Sequence, residues 1–249
     1  MTYTGDDGKL PPGLGLLWER LGGPVREPKV GLSVDRIARA AVELADEGGL
    51  DAVSMARVAE RLGFTTMSLY RHVKNKNELL LLMLDSVTAV PAELDEPCDG
   101  WRAGLERWSR AQWAMLRAHA WIVHLPIAGP PITPNQLAWT DRALAALRGT
   151  GLSEADKAGV ALLVATYLLS TARLGADLGP AASGESVAAY SALLGALVDA
   201  RRFPALRTAV DAGAFDYPAD TPEEERDLGY RFGLDRILDG VQVLINATG

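Results

Sequence analysis

The sequence predicts an all-α protein, and three features carry that prediction. Apolar residues recur at helical spacing in successive segments, the segments open on Ser, Thr or Asn caps and several close on glycine, and no stretch alternates apolar and polar residues. Ser33 precedes the stripe Ile37, Ala38, Ala41, Leu44 and Ala45, which stops at Gly48-Gly49. Ser54 opens a short helix bearing Val58, Ala59 and Leu62, and Gly63 ends it. Thr65 opens a third helix, expected to run to about Val73. Asn75, with Glu78 three residues on, resembles a capping box for a helix over 79–87. Thr133-Pro134-Asn135-Gln136 combines a cap, a proline at the first helical position and a glutamine at the third. Ser153 starts a long apolar helix ending near residue 178. Thr221-Pro222 starts the last, expected to reach Ile245, with Glu223, Glu224 and Glu225 where the helix dipole favours negative charge. About nine or ten helices are expected.

Composition narrows the class. The 249 residues carry 25 basic and 32 acidic side chains, with 48% hydrophobic and 23% charged, which suits a folded domain and excludes wholesale disorder. The single cysteine, Cys98, excludes an internal disulfide and any cysteine-built zinc or iron–sulfur site. The N-terminus shows no basic region followed by an apolar stretch, so no signal peptide is read and the cytoplasm is expected. The most apolar stretch, 158–172, is shorter than the roughly 20 residues of a membrane span and is bracketed by Lys157 and Arg173. It reads as a helix buried against protein. Prolines and glycines divide the chain into a flexible arm over 1–32, a compact segment over 33–87 and a helical body over 88–249. Arg26 and Lys29 in the arm either reach a minor groove or stay unengaged.

Three short helices between Ser33 and Val73, the last two separated by a tight turn at Gly63-Phe64, form a helix-turn-helix pattern. On the helix after that turn, Leu69 and Val73 fall on one side, with Met67 and Arg71 opposite and Ser68 and Tyr70 flanking. That outer face offers donors, acceptors and an apolar surface for base edges. From Arg57 to Lys76 there are five basic residues and one acidic, on a chain whose formal net charge is −7. Such a local excess suits a phosphate-binding face, although basic helix faces are also common on proteins that bind no DNA.

The stretch from Ser54 to Leu82 closely resembles the DNA-binding domain of the TetR (tetracycline repressor-like) family of bacterial regulators. Its most specific part runs from Leu69 through Tyr70, Arg71, His72, Val73, Lys74 and Asn75 to Lys76, followed by Glu78-Leu79-Leu80. The body also resembles tetracycline-repressor-type C-terminal domains, in Gly129-Pro130-Pro131 and in Gly233-Leu234-Asp235-Arg236. The resemblance implies that Thr66, Met67 and Ser68 approach base edges and that Arg71 reaches a guanine. It implies that Tyr70, His72 and Lys76 contact phosphates, and that Thr65 caps the recognition helix. Arg71 departs from relatives with an aromatic there, and Tyr70 alternatively packs on the following helix.

Five of the six tryptophans lie between Trp101 and Trp139. Trp101, Leu105, Trp108 and Met115 share a helical face with Gln112 among them, the composition of either a core or a small-molecule site. The resemblance favours an effector cavity, with Trp108, Gln112, Met115, Trp121, His124, Trp139 and Tyr167 as candidate lining residues. The helices over 153–178 and 222–245 are apolar over wide arcs, and both the pattern and the resemblance imply a homodimer. His119 and His124 are five apart, not an i, i+4 ligand pair, and no nucleophile, P-loop or Rossmann fingerprint is present. Neither catalysis, nor a metal, nor a cofactor, nor a membrane partner is expected. The function implied is a ligand-responsive repressor on a palindromic operator; an activator, or a regulator without a ligand, is the alternative.

Overall fold

The computed structural model describes residues 14–21, 31–126, 131–178, 184–216 and 228–248, and among these every regular element is helical. In chain order they are α1 (Leu14–Leu21), α2 (Val34–Gly48), α3 (Met55–Leu62), α4 (Thr66–Tyr70), α5 (Lys76–Val87), α6 (Gly100–Ala118), α7 (Pro134–Ala146), α8 (Glu154–Leu178), α9 (Gly184–Leu197), α10 (Pro204–Asp211) and α11 (Leu228–Thr248). The all-α class is borne out. The caps form as read: Ser33, Ser54, Thr65 and Asn75 accept the backbone N–H three residues on, and Thr133 with Gln136 makes a reciprocal capping box. Glu78 departs from that pattern, because its carboxylate accepts from the Lys74 N–H at 2.7 Å rather than from the cap residue.

Two boundaries differ from the sequence reading. The arm over 1–32 is not loose throughout. Residues 14–21 form α1, with Leu14 and Leu17 buried and the Trp18 indole N–H donated to the Ile132 carbonyl at 3.1 Å. The amphipathic spacing of Leu14, Leu17 and Trp18 overrides the nearby prolines; α1 packs on α5 and α7. Arg26 and Lys29 lie outside the described residues, as do Gly129-Pro130 and the expected start of the last helix at Thr221-Pro222. The helix after Thr65 stops at Tyr70 instead of Val73, because the Leu69 carbonyl takes both the His72 and Val73 N–H groups, at 2.8 and 2.9 Å, and tightens the chain. The long apolar helix α8 runs Glu154–Leu178 as read; although its most apolar stretch is short, its 25 residues are by length and composition alone enough to cross a membrane.

The chain divides into two compact units, Met1–Ala172 with Val241–Gly249, and Arg173–Gly240. In the first, α2 is the hub of the N-terminal helices. Its Ile37, Ala41 and Ala45 are buried together with Val58 and Ala59 of α3, Leu69 of α4 and Leu79, Leu82 and Met83 of α5. Helices α6 and α7 pack as a second layer, in opposite directions: Gly104 meets Ala146, whereas Trp108 meets Trp139. A Cβ at Gly104 would stand 2.9 Å from the Ala146 Cβ, so glycine permits that crossing. In the second unit α9 packs on α10, with Arg207 donating to the Gly195 carbonyl at 3.1 Å and pairing with Asp211.

Candidate functional site

The turn between α3 and α4 places the outer face. Gly63 adopts φ 71° and ψ 29°, a left-handed conformation that favours glycine, and returns its N–H to the end of α3. Thr65 then caps α4, its hydroxyl accepting from the Ser68 N–H at 3.3 Å and lying 2.9 Å from the Ser68 hydroxyl. Leu69 and Val73 are fully buried beneath, which turns the opposite side outward. Met67 is 70% exposed and Tyr70 46%. Arg71, His72, Lys74 and Lys76 are exposed, whereas Thr66 and Ser68 are half-buried. Tyr70 therefore faces solvent rather than packing away under the next helix. Lys76 opens α5, whose cap Asn75 engages the Glu78 N–H at 2.9 Å. The first amides of α5 remain without intrahelical partners, a natural seat for a phosphate.

The electrostatics are finer than a count of charges along the chain. Arg61 pairs with Glu43 and Glu47 of α2, and its hydrogen bond holds the Glu47 carboxyl below the ordinary value. Arg57 donates to the Ala52 carbonyl at 3.3 Å. Those two cations serve the fold. Among the described residues no ion pair engages Arg71, Lys74 or Lys76, so the available positive charge of this segment lies between the end of α4 and the start of α5. Arg36 adds a stacking contact over the Phe64 ring, 5.9 Å to the centroid, bracing the turn against α2.

The tryptophans read as candidate cavity lining each have a defined place in the fold. Trp108, Trp121 and Trp139 are buried and each indole N–H is committed. Trp108 donates to the Trp139 carbonyl at 2.9 Å, Trp139 to the Thr88 carbonyl at 2.8 Å, and Trp121 to the Asp46 carboxylate at 2.7 Å. The Trp108 and Trp139 rings meet edge to face at 6.1 Å. Gln112, Met115 and Tyr167 are half-buried and His124 is exposed at the end of a 3-10 turn, Ala120–His124. A cleft of about 490 Å³ opens between residues 94–98, the first half of α6 and the second half of α7. It takes in Trp101 and Trp108 but none of the other six candidates. Its Arg107 is held by the Glu96 and Pro97 carbonyls and its Arg142 by Asp95 and Asp141.

Several residues that matter here were not legible as site residues. Thr88 ends α5, and Asn135 of α7 ties the same end, its N–H and side-chain amide reaching the Asp85 carboxylate and carbonyl at 3.0 and 2.7 Å. Ser109, on the Leu105–Gln112 face of α6, is fully buried with no partner for its hydroxyl among the described residues. Only the small polar residue inside an apolar stripe hinted at it. Among the described residues no cluster of three or more His, Cys, Asp or Glu could hold a metal.

Comparisons with known proteins cover both the N-terminal and the C-terminal helices. The family described as bacterial regulatory proteins, tetR family, matches residues 37–83, and that described as tetracyclin repressor-like, C-terminal domain, matches 93–245. The chain is 34% identical over 252 residues to the HTH-type transcriptional repressor DrrR1 of Streptomyces coeruleorubidus, covering 98% of this chain and 90% of that protein. It is 30% identical over 212 residues to the class A tetracycline repressor of Escherichia coli transposon 1721, covering 84% and 90%. The structure of Streptomyces coelicolor ActR in complex with actinorhodin superposes with a TM-score of 0.69 at 26% identity, covering 86% of this chain and 96% of that one.

Proposed function

The chain belongs to the tetR family of bacterial regulatory proteins, and on that premise we propose that it is a cytoplasmic repressor that binds a palindromic operator as a homodimer and is released by a small apolar or aromatic effector. The observation that carries the DNA half is the outer face of α4 and α5, where Met67, Tyr70, Arg71, His72 and Lys76 are exposed over a buried Leu69 and Val73. Thr66, Met67 and Ser68 approach base edges, Arg71 reads a guanine, and Tyr70, His72 and Lys76 hold phosphates, with Thr65 fixing the helix start. The related proteins named as repressors support repression.

Dimerisation is supported by apolar side chains left outward in the first unit on two long helices, Leu162 and Leu163 on α8 and Val243 on α11. A second copy covering them would bury what one chain leaves exposed. The effector half is supported by the actinorhodin complex of ActR. Gln112, Met115, His124 and Tyr167 remain the candidate contacts, with Trp108, Trp121 and Trp139 as walls and Ser109 as a hydroxyl without a partner among the described residues. The decisive experiment is a genome-wide selection of bound DNA, followed by titration of the recovered fragment at several salt concentrations. An inverted repeat with steep salt dependence is expected. Recovery of no preferred sequence would refute the proposal.

A further inference from the structure

Beside the packing of α1 on α5 and α7, hydrogen bonds tie the DNA-binding helices to the rest of their unit at two places. One is α5, tied at its end to α7 through Asp85, Thr88, Asn135 and Trp139. The other is a single carboxylate. Oδ1 of Asp46, in the last turn of α2, lies 2.8 Å from His119 Nδ1 and accepts the Trp121 indole N–H at 2.7 Å. Those partners are 73 and 75 residues away in sequence, at the end of α6 and in the 3-10 turn that follows it.

Asp46 has no local reason to be acidic. It sits at the negative end of the α2 dipole, where a carboxylate is unfavourable, and α2 has no basic residue in its last turn. Its neighbours Glu43 and Glu47 are both answered by Arg61 of α3, within the DNA-binding segment itself. Of these three acids Asp46 is the one answered from outside that segment, by His119 at the end of α6 and Trp121 in the turn that follows it. Trp121 is buried, and the His119 and Trp121 rings stand 6.1 Å apart, so the turn presents both N–H groups as a unit. We propose that Asp46 is a positioning residue for operator binding, through which the Ala120–His124 turn sets the placement of α2 and hence of α3 and α4. A head held only through α5, with α1 packed beside it, is fixed along one side. The second anchor adds a further constraint, and a dimer reading two half-sites about one helical turn apart needs both heads placed. Because the two bonds are short and directional, a shift of the turn that also carries His124, a candidate effector contact, would break them together.

The inference rests on the regulator reading above, and the test separates the two. Full-length wild type, Asp46→Ala, Asp46→Asn and Trp121→Phe are titrated with the fragment recovered by the wild type and with a scrambled fragment of equal length. Asp46→Ala is expected to bind the recovered fragment about tenfold more weakly, the scale of a lost charge-assisted hydrogen bond, and to bind the scrambled one unchanged. Asp46→Asn keeps a carbonyl oxygen for the same donors and is expected to recover to within about threefold, with Trp121→Phe between them. A general loss of folded protein would weaken both fragments alike, and that result overturns the positioning role. So does an Asp46→Ala protein that binds the recovered fragment as well as wild type or better, or an Asp46→Asn protein no better than Asp46→Ala. A wild type without any preferred fragment overturns the regulator reading and this inference together.

Discussion

Trp139→Phe tests whether the tryptophans are structure or site. Trp139 is 4% exposed, packs edge to face on Trp108 and donates its indole N–H to the Thr88 carbonyl at 2.8 Å. Thr88 is itself buried, and that carbonyl has no other partner among the described residues. Phenylalanine keeps most of the ring but strands the carbonyl, a loss of about 1–3 kcal/mol. For a chain of this size the unfolding midpoint should then fall by roughly 2–4 °C per kcal/mol. The control is Trp101→Phe. Trp101 lines the open cleft, has no hydrogen bond among the described residues, and should change stability by less than about 0.5 kcal/mol. Thermal unfolding followed by circular dichroism reads both. Equal midpoints for wild type and Trp139→Phe would refute the assignment of this indole to the end of α5. So would a Trp101→Phe loss as large as that of Trp139→Phe.

Arg71→Ala should weaken the cognate site by about 1–3 kcal/mol and relax preference at one position, whereas Lys76→Ala should weaken all DNA alike and lower the salt slope by about one. Titration against single-base variants over a salt series checks both. Val243→Asp, at a position 69% exposed, should yield folded monomers by light scattering, whereas Val241→Glu, at a position 4% exposed, should reduce folded protein outright. Ser109→Ala removes a buried hydroxyl without a partner among the described residues, so its unfolding midpoint should equal or exceed that of wild type. If Ser109 contacts effector, calorimetry with actinorhodin as probe should show weaker binding for the same variant; undiminished binding removes Ser109 from the contact set.

Local chemistry was legible along the chain because it is local. Caps at Ser33, Ser54, Thr65, Asn75 and Thr133 act over three residues, and the stripes around Ile37 and Val58 repeat within a helix, so sequence spacing alone determined the helix class, the tight turn at Gly63 and the outward face of α4. Tertiary structure decided everything that depends on partners distant in sequence. The basic count around α3 could not reveal that Arg61 belongs to Glu43 and Glu47, because those acids lie a helix earlier. The apolar stripe of the last helix could not be divided into buried Leu234, Leu238 and Val241 and exposed Phe232 and Val243 until its neighbours were in place. An indole reads as an aromatic in any pattern. Whether it walls a cavity or holds up the end of a helix depends on where its single N–H points, and for Trp108, Trp121 and Trp139 that acceptor lies 31 to 75 residues away, beyond the reach of any periodicity.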